Sequence, residues 1–566
     1  LSTLPFPKLT EEIYMTFFGG KDSETSKRFV MKRRMWLTTL VWAECLTNKG
    51  KYLPAILAGL TDILQTNSWA FPAEDRELTN YKGELFTIAL STSAYASDMS
   101  EALYLLQSKL PATMKQQIQE SLDKKIFQLT KNAIANNNAN KEFISLRDIG
   151  NHNSVTLANV TSAALTVLQD KQQRAFFIAM AEQYIQNFIK GYGDDGYCTE
   201  GMNYYSYGFG HFVFLREAIW QATGGKIDLF KNPKVDKMAR YAPAMEIING
   251  MYPTIGDCEQ NIKPGPQLMY YLNKYFALGL SDYDDVPAQV YQPSLSYAMY
   301  FFPNSASNRR SGSNGLKSKL ALRDFFQSAG VLTVRPATGS NMDMGATFKG
   351  GNNAEQHNHN DLGSYSIVAG NELLTGDPGL RTYTPTYFGK QRYELHITPT
   401  SYGHNVPLIN GVQQKVGKEA EAQIISTNFS DAQDVLKMDI SSGYPVPDLT
   451  KLIRSFTYNR KGKENLQITD DYTLANEGSF ETALITRYPW KVIRNEVIPE
   501  GKEKRRIIVI EITGKTATLE ISISSSTENT TVKEEVIDEG PTPFTRIGIL
   551  QTGVRKGFVK MVFRKK

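Results

Sequence analysis

The chain has 566 residues, of which 41% are hydrophobic and 21% charged, and its formal net charge is +5. Such a composition is globular, and the length exceeds what one hydrophobic core serves, so two or more domains are expected. The charge mildly favours an anionic partner, but there is no basic block of the nucleic-acid-arm kind and no apolar run near the ~20 residues of a membrane span, so no nucleic acid and no membrane span are expected.

The first half reads as helical. Residues 27–46 carry Phe29, Val30, Met35, Trp36, Leu40 and Trp42 at mixed helical spacing. Residues 54–65 open on Pro54, a favoured first helical residue, and continue with Ile56, Leu57, Leu60, Ile63 and Leu64. Residues 93–107, 111–135, 156–169, 172–189 and 211–223 repeat the pattern, and the Asn-rich stretch 132–140 reads as a helix end and loop. So many helices in one run suggest a helical array or an α/α toroid. No fixed-period repeat is present. Three cysteines (Cys45, Cys198, Cys258) make no CxxC and no framework, and at most one pair can form.

Two polar segments interrupt the helical half. Gly150-Asn151-His152-Asn153-Ser154 reads as a loop before a helix. Its Asn and His suit a ligand carboxylate or hydroxyl, although Asn153 or Ser154 as a simple N-cap explains part of it. The stretch 193–207 packs four tyrosines (Tyr197, Tyr204, Tyr205, Tyr207) beside Asp195 and Glu200. Tyrosine rings stack on sugars and their hydroxyls bond to them, and a tyrosine moves protons when nearby cations lower its pKa from about 10. An aromatic helix start packed in the core would look the same.

Residues 303–318, rich in Ser, Asn, Gly and Arg, read as a linker or loop. After them come strand-like runs at 330–335, 364–368, 505–512, 517–524 and 558–563. Segregated helices and strands mean separate domains. The expected division is helical 1–302, linker 303–318 and antiparallel β 319–566, with room for a small C-terminal β subdomain.

Four of the six histidines (His357, His359, His396, His404) fall between 357 and 404. In extended chain, His357 and His359 would share a face, and the strand after the Gly370-Asn371 turn would return Asp377 beside them. With His404 this makes a His/Asp/His set suited to zinc. Two surface histidines and a capping Asp remain the plainer account of the same string.

The string Gly351 to Tyr365, containing Gln356-His357-Asn358-His359-Asn360-Asp361, closely resembles the central motif of heparinase II/III-like polysaccharide lyases. So do Asp377-Pro378-Gly379, Arg392-Tyr393 and Gly403-His404-Asn405. Asp195-Gly196-Tyr197, Glu200-Gly201, Tyr204 and Tyr207 look like the catalytic-tyrosine segment of the alginate-lyase branch, with Met202 where that branch has Pro. Asn151-His152 is similar to its Asn-His pair, and the 69–75 segment (Trp69 to Asp75) to an early segment of these enzymes. The resemblance covers most of the chain, in order.

It implies an α+β multidomain protein, an N-terminal α/α toroid followed by an antiparallel β-sandwich with the site between them. It also implies β-elimination at a 4-linked uronic acid: heparin or heparan sulfate first, alginate or another glucuronic-acid polymer next. The implied roles are as follows. Asn151 and His357 neutralise the substrate carboxylate. Tyr204 protonates O4 and, in a syn elimination, also removes the C5 proton; His152 is the base in an anti one. Arg381, Tyr393, Arg392, Tyr197, Tyr207, Glu200 and Trp69 contact substrate. His359, Asp377 and His404 hold one structural zinc. An acidic polysaccharide or oligosaccharide is thus the partner. A chain opening at Leu1 fits a signal peptide already removed, so a periplasmic or secreted location is expected. Nothing in the sequence bears on oligomeric state. Two rivals remain. A metallohydrolase would need a parallel α/β scaffold and further ligands, which the sequence lacks. A catalytically silent glycan-binding protein is disfavoured by retention of Tyr204 and His357.

Overall fold

The structure is a computed structural model that describes residues 4–19, 24–136, 142–283, 320–339, 343–379, 383–461, 466–500, 503–539 and 542–566. The expected linker at 303–318 and Arg381 lie outside the described residues. Among those described, the helices of more than four residues end with Pro266–Phe276, and the strands begin at Arg323–Phe326.

The expected helices form, with shifted ends. Glu24–Thr47, Leu53–Gln65, Leu90–Leu106, Lys171–Gly191 and Gly210–Ala222 match the apolar periodicity. The long 111–135 expectation is one rod interrupted by a π turn: Ala112–Leu122, then Asp123–Phe127, then Gln128–Ala135. The largest shift is at Asn151–Val167, which starts five residues earlier than the pattern indicated. Almost all of that helix is buried, against Leu90–Leu106 on one side and Lys171–Gly191 and Gly210–Ala222 on others. A helix covered on all sides carries no polar stripe, so periodicity could not locate its start. Cys45, Cys198 and Cys258 are free thiols. No described helix is long and apolar enough to cross a membrane.

The second half is antiparallel β. A five-stranded sheet runs in the order Arg323–Phe326, Val331–Val334, Met344–Phe348, Tyr365–Ala369, Glu372–Thr375. A larger sheet has Phe544–Lys565 and Leu466–Thr486 paired at its centre. The two sheets share one core, in which the rings of Phe348 and Phe456 stack with centroids 4.3 Å apart. That face-to-face packing is a β-sandwich. Alternation along Leu449–Asn459, where every second residue from Leu452 to Tyr458 is buried, puts one face of each strand inward.

The halves are tied by polar groups as well as packing. Asp195, from the tyrosine-rich segment, accepts from the Ser328 N–H at 2.9 Å and its hydroxyl at 2.7 Å. Arg335 donates to the carbonyls of Ala244 and Glu246.

Candidate active site

A cavity of about 690 Å³ lies where the halves meet. Helical residues Asn151, His152, Tyr204 and Tyr207 line it together with His357, Tyr383 and Phe388 of the β half. Its size is that of a small-ligand site.

Asn151 and His152 are not in a loop, as their sequence suggested, but in the first turn of the Asn151–Val167 helix. Neither Asn153 nor Ser154 caps it. The N-cap is Gly150, and the carboxylate of Glu200 takes the capping role from another segment. Its oxygens accept from the Asn151 N–H at 2.9 Å and from Asn151 Nδ2 at 2.7 Å. A carboxylate there complements the positive end of the helix and orients the Asn151 amide. The second N–H of that amide and its oxygen, buried with no protein partner, remain for a ligand. Burial lowers the His152 pKa, and the nearby His357 lowers it further against the pull of Asp148. At neutral pH His152 is therefore a neutral imidazole.

Tyr204 closes a one-turn helix, Gly201–Tyr204, that passes through a π turn at Tyr205–Phe209 into Gly210–Ala222. π turns recur at functional sites because they rotate one side chain out of helical register. The Tyr204 ring stacks on the His357 imidazole, centroids 3.8 Å apart and planes 14° from parallel. Its hydroxyl is hydrogen-bonded to the hydroxyl of Tyr383. Burial, reinforced by the negative charge of Asp257, raises the Tyr204 pKa, so the phenol is protonated.

His357 is not in extended chain. It has φ +53°, the left-handed region, and Gly256 passes beneath it so closely that a Cβ there would come 2.9 Å from the His357 carbonyl. The imidazole faces Asp257, with Nδ1 2.8 Å from Oδ2. Asp257 is fully buried and gathers three further groups of the β half: His359 Nε2 at 3.0 Å, the Tyr387 hydroxyl at 2.7 Å and Arg392 Nη2 at 2.7 Å. Burial alone would raise its pKa, but His357, His359 and Arg392 outweigh that and hold it well below the usual carboxylate range.

His359, Asp377 and His404 meet as the sequence suggested. All three are buried, with one ligand atom from each lying within 4.8 Å of the others. Asp377 Oδ2 is 3.5 Å from His359 Nδ1 and 3.3 Å from His404 Nδ1, and none of these atoms has a hydrogen-bond partner. In a tetrahedron with bonds of about 2.0–2.1 Å, ligand atoms stand about 3.3–3.4 Å apart. The outer atoms are held too: Asp377 Oδ1 accepts from the Gly379 N–H at 2.7 Å, and His359 Nε2 pairs with Asp257. Orienting partners of this sort accompany metal ligands. Burial works against a charge on His359, yet Asp257 and Asp377 raise its pKa to about 9, the mark of a cradle that favours a cation. The donor set and its spacing fit zinc.

No family model and no curated protein matches this sequence. Solved structures do. A heparinase III described as the BT4657 gene product superposes with a TM-score of 0.63 at 14% identity, over 98% of this chain and 81% of that one. A second heparinase III gives 0.63 at 12% identity over 94% and 76%, and the heparan sulfate lyase HepC from Pedobacter heparinus 0.60 at 14% over 96% and 77%. The fold is that of heparinase III. The resemblance seen in the motifs thus holds at the level of architecture, helical half first and β-sandwich second.

Within this heparinase III fold, the expected substrate contacts divide. Tyr207 is exposed and lines the cavity. Glu200 is buried beneath Asn151 and orients it instead of facing the cavity. Arg392 and Tyr393 line a second cavity of about 320 Å³, which meets the first at His357 and Phe388. There the Tyr393 hydroxyl donates to the Asn358 carbonyl at 3.1 Å. Two expectations are corrected. Tyr197 is wholly buried among Tyr241 and Phe326, because a strand of the β half covers its ring. Trp69 is also in the core, its Nε1 donating to the Ile63 carbonyl and Lys125 lying over its ring. Its segment reaches the cavity through Phe71 and Glu74 instead. Sequence reasoning missed Asp257 and Tyr383. Neither sits in a motif, and their partners lie 100 to 179 residues away in the chain. His211, which belongs to no motif, also lines the cavity.

Proposed function

We propose that the protein is a polysaccharide lyase that cleaves a 4-linked uronate-containing glycan by β-elimination, a glycosaminoglycan being the first candidate. The observation that carries this reading is the protonated Tyr204 stacked on His357, in one cavity with Asn151 and the neutral His152. Asn151 and His357 would hold the C6 carboxylate and spread its charge, which makes the C5 proton acidic. The two titrating groups have been pushed apart: His152 downward to a free base, Tyr204 upward to a phenol. That split supports distinct roles. His152 takes the C5 proton, the electron pair forms the C4–C5 double bond, the C4–O4 bond breaks and Tyr204 delivers its proton to O4. The fold shared with heparinase III and a heparan sulfate lyase supports a glycosaminoglycan at the level of architecture.

Ultraviolet absorbance of the unsaturated uronate tests this reading against heparin, heparan sulfate, hyaluronan, chondroitin sulfates, alginate and glucuronan, as polymers and as oligosaccharides. A rise on one of them is expected. Binding of a glycan with no unsaturated product from any would replace the lyase by a glycan-binding protein.

We assign zinc to His359, Asp377 and His404. When bound, the ion would brace the β side of the cleft through His359 and its neighbour Asp257. Elemental analysis of the purified protein is expected to find zinc near one per chain, and His404→Ala to lose it together with several degrees of Tm. Full metal loss with unchanged Tm would refute the bracing role.

A further inference from the structure

We infer that Tyr383 of the β half completes the acid. Its hydroxyl donates to the Tyr204 oxygen, leaves the Tyr204 proton for the glycosidic O4 and holds the phenolate that remains when that proton departs. The inference rests on the lyase reading above and adds a positioning residue to it.

The two tyrosines come from opposite halves, 179 residues apart in the chain. Their hydroxyls are hydrogen-bonded to each other, and both side chains line the larger cavity. Tyr383 is fixed there by its ring. That ring is packed on Phe388, centroids 4.5 Å apart, and lies 5.5 Å from the ring of Tyr387, whose own hydroxyl is tied to Asp257 at 2.7 Å. From the helical half, the Lys27 ammonium stands 5.5 Å from the centre of the Tyr383 ring, a cation–π contact. Only 8% of the residue remains exposed, so its hydroxyl has a settled direction.

Each hydroxyl carries one hydrogen. If Tyr204 donated to Tyr383, its proton would be turned away from the substrate. With Tyr383 as the donor, the Tyr204 hydrogen is left for O4. The harder demand comes at the transfer itself. As the C4–O4 bond breaks, the proton passes to O4 and the O–H electron pair stays on Tyr204 as a phenolate. Burial and the negative charge of Asp257 make that charge costly. Among the described hydrogen bonds, the one that reaches this oxygen comes from Tyr383. Tyr383 itself stays protonated, because burial raises its pKa and the negative charges of Asp257 and an ionised Tyr204 raise it further. It is thus a fixed donor aimed at a developing oxyanion, the arrangement that needs no rearrangement at the moment of reaction. Once product leaves, the proton taken by His152 returns to Tyr204 through water, and both groups end as they began.

The test is Tyr383→Phe, which keeps the ring against Phe388, Tyr387 and Lys27 and removes only the hydroxyl. On the glycan that the wild type cleaves, kcat should fall about 10²-fold, as when one donor to a developing oxyanion is lost, with little change in KM. Two comparisons separate this role from a merely structural one. On a substrate whose O4 substituent departs as a stabilised anion, the variant should come within about threefold of the wild type. In a Tyr204→Phe background, where there is no proton to place, adding Tyr383→Phe should cost less than about twofold more. A loss that persists on the activated substrate, or that multiplies with the loss from Tyr204→Phe, would overturn the inference and leave the lyase reading standing. Unchanged turnover of Tyr383→Phe would do the same. A last readout needs no substrate. With a fluorotyrosine in place of Tyr204, followed by fluorine NMR, the phenol should titrate at higher pH in Tyr383→Phe than in the otherwise unchanged chain, because its phenolate has lost a donor. An unmoved titration would overturn the inference whatever the glycan. Absence of unsaturated product from every glycan offered to the wild type would instead overturn the lyase reading.

Discussion

Tyr204→Phe is expected to lower kcat by about 10²–10⁴-fold, the usual contribution of a positioned general acid. KM should move little. The phenylalanine ring keeps the stack on His357, so the only losses are the transferable proton and the hydrogen bond to Tyr383. The variant should fold, because no other described hydrogen bond ends on that hydroxyl. A leaving group that needs no protonation is the sharper check. On a substrate whose O4 substituent departs as a stabilised anion, most of the lost rate should return. Unchanged turnover on the natural linkage would remove Tyr204 from the chemistry. A loss that the activated substrate does not rescue would point to a role in binding.

Asp257→Asn is expected to have the second large effect, on stability and rate together. Asp257 is fully buried and receives hydrogen bonds from two imidazoles, a phenol and a guanidinium, all from the other half of the molecule. The amide keeps the volume but removes the charge that Arg392 faces, and its NH₂ opposes one of the present donors. Breaking a buried pair from one side costs about 3–5 kcal/mol. Denaturant unfolding monitored at the interface between the halves should show that loss. Its pH dependence has a definite sign. The folded pKa of Asp257 lies below its ordinary value of 3.8, so the stabilisation is present above about pH 4 and is lost as pH falls through the folded value. The gap between wild type and variant should therefore be full at neutrality and close in acid. Activity should fall by about 10²-fold or more, since His357 would no longer be held where the proposed reaction needs it, against the substrate carboxylate. Equal stability of the two proteins at neutral pH would show that Arg392 and the imidazoles find other partners.

What was legible in the sequence was what is local. Helices such as Leu53–Gln65, with apolar residues on one face and Pro near the start, show themselves by periodicity. Strands such as Leu449–Asn459 show themselves by alternation. The His359/Asp377/His404 cluster could be anticipated because a short strand pair, Tyr365–Ala369 with Glu372–Thr375, carries the chain out and back over a few residues. The motif resemblance supplied the order of the halves and the candidates Asn151, His152, Tyr204 and His357.

Local signals failed wherever burial or distance decided. Tyr197 and Tyr207 stand ten residues apart in one aromatic stretch, yet one is sealed in the core and the other is exposed on the cavity. Composition treats them alike; only the covering strand separates them. His357 was expected in extended chain, and its left-handed turn follows from how Gly256 of the helical half passes beneath it. The start of the Asn151 helix was hidden because its cap, Glu200, comes from 49 residues further on. Asp257 is one acidic residue among 58. Nothing nearby marks it, since all four of its partners reach it from the opposite half. The sequence by itself thus determined the two kinds of structure, their order and the motif residues that became candidates for the site. The tertiary structure alone decided which of them share a cavity, which are neutral and which are merely packed, because solvent exclusion and charge pairing arise only when distant segments meet.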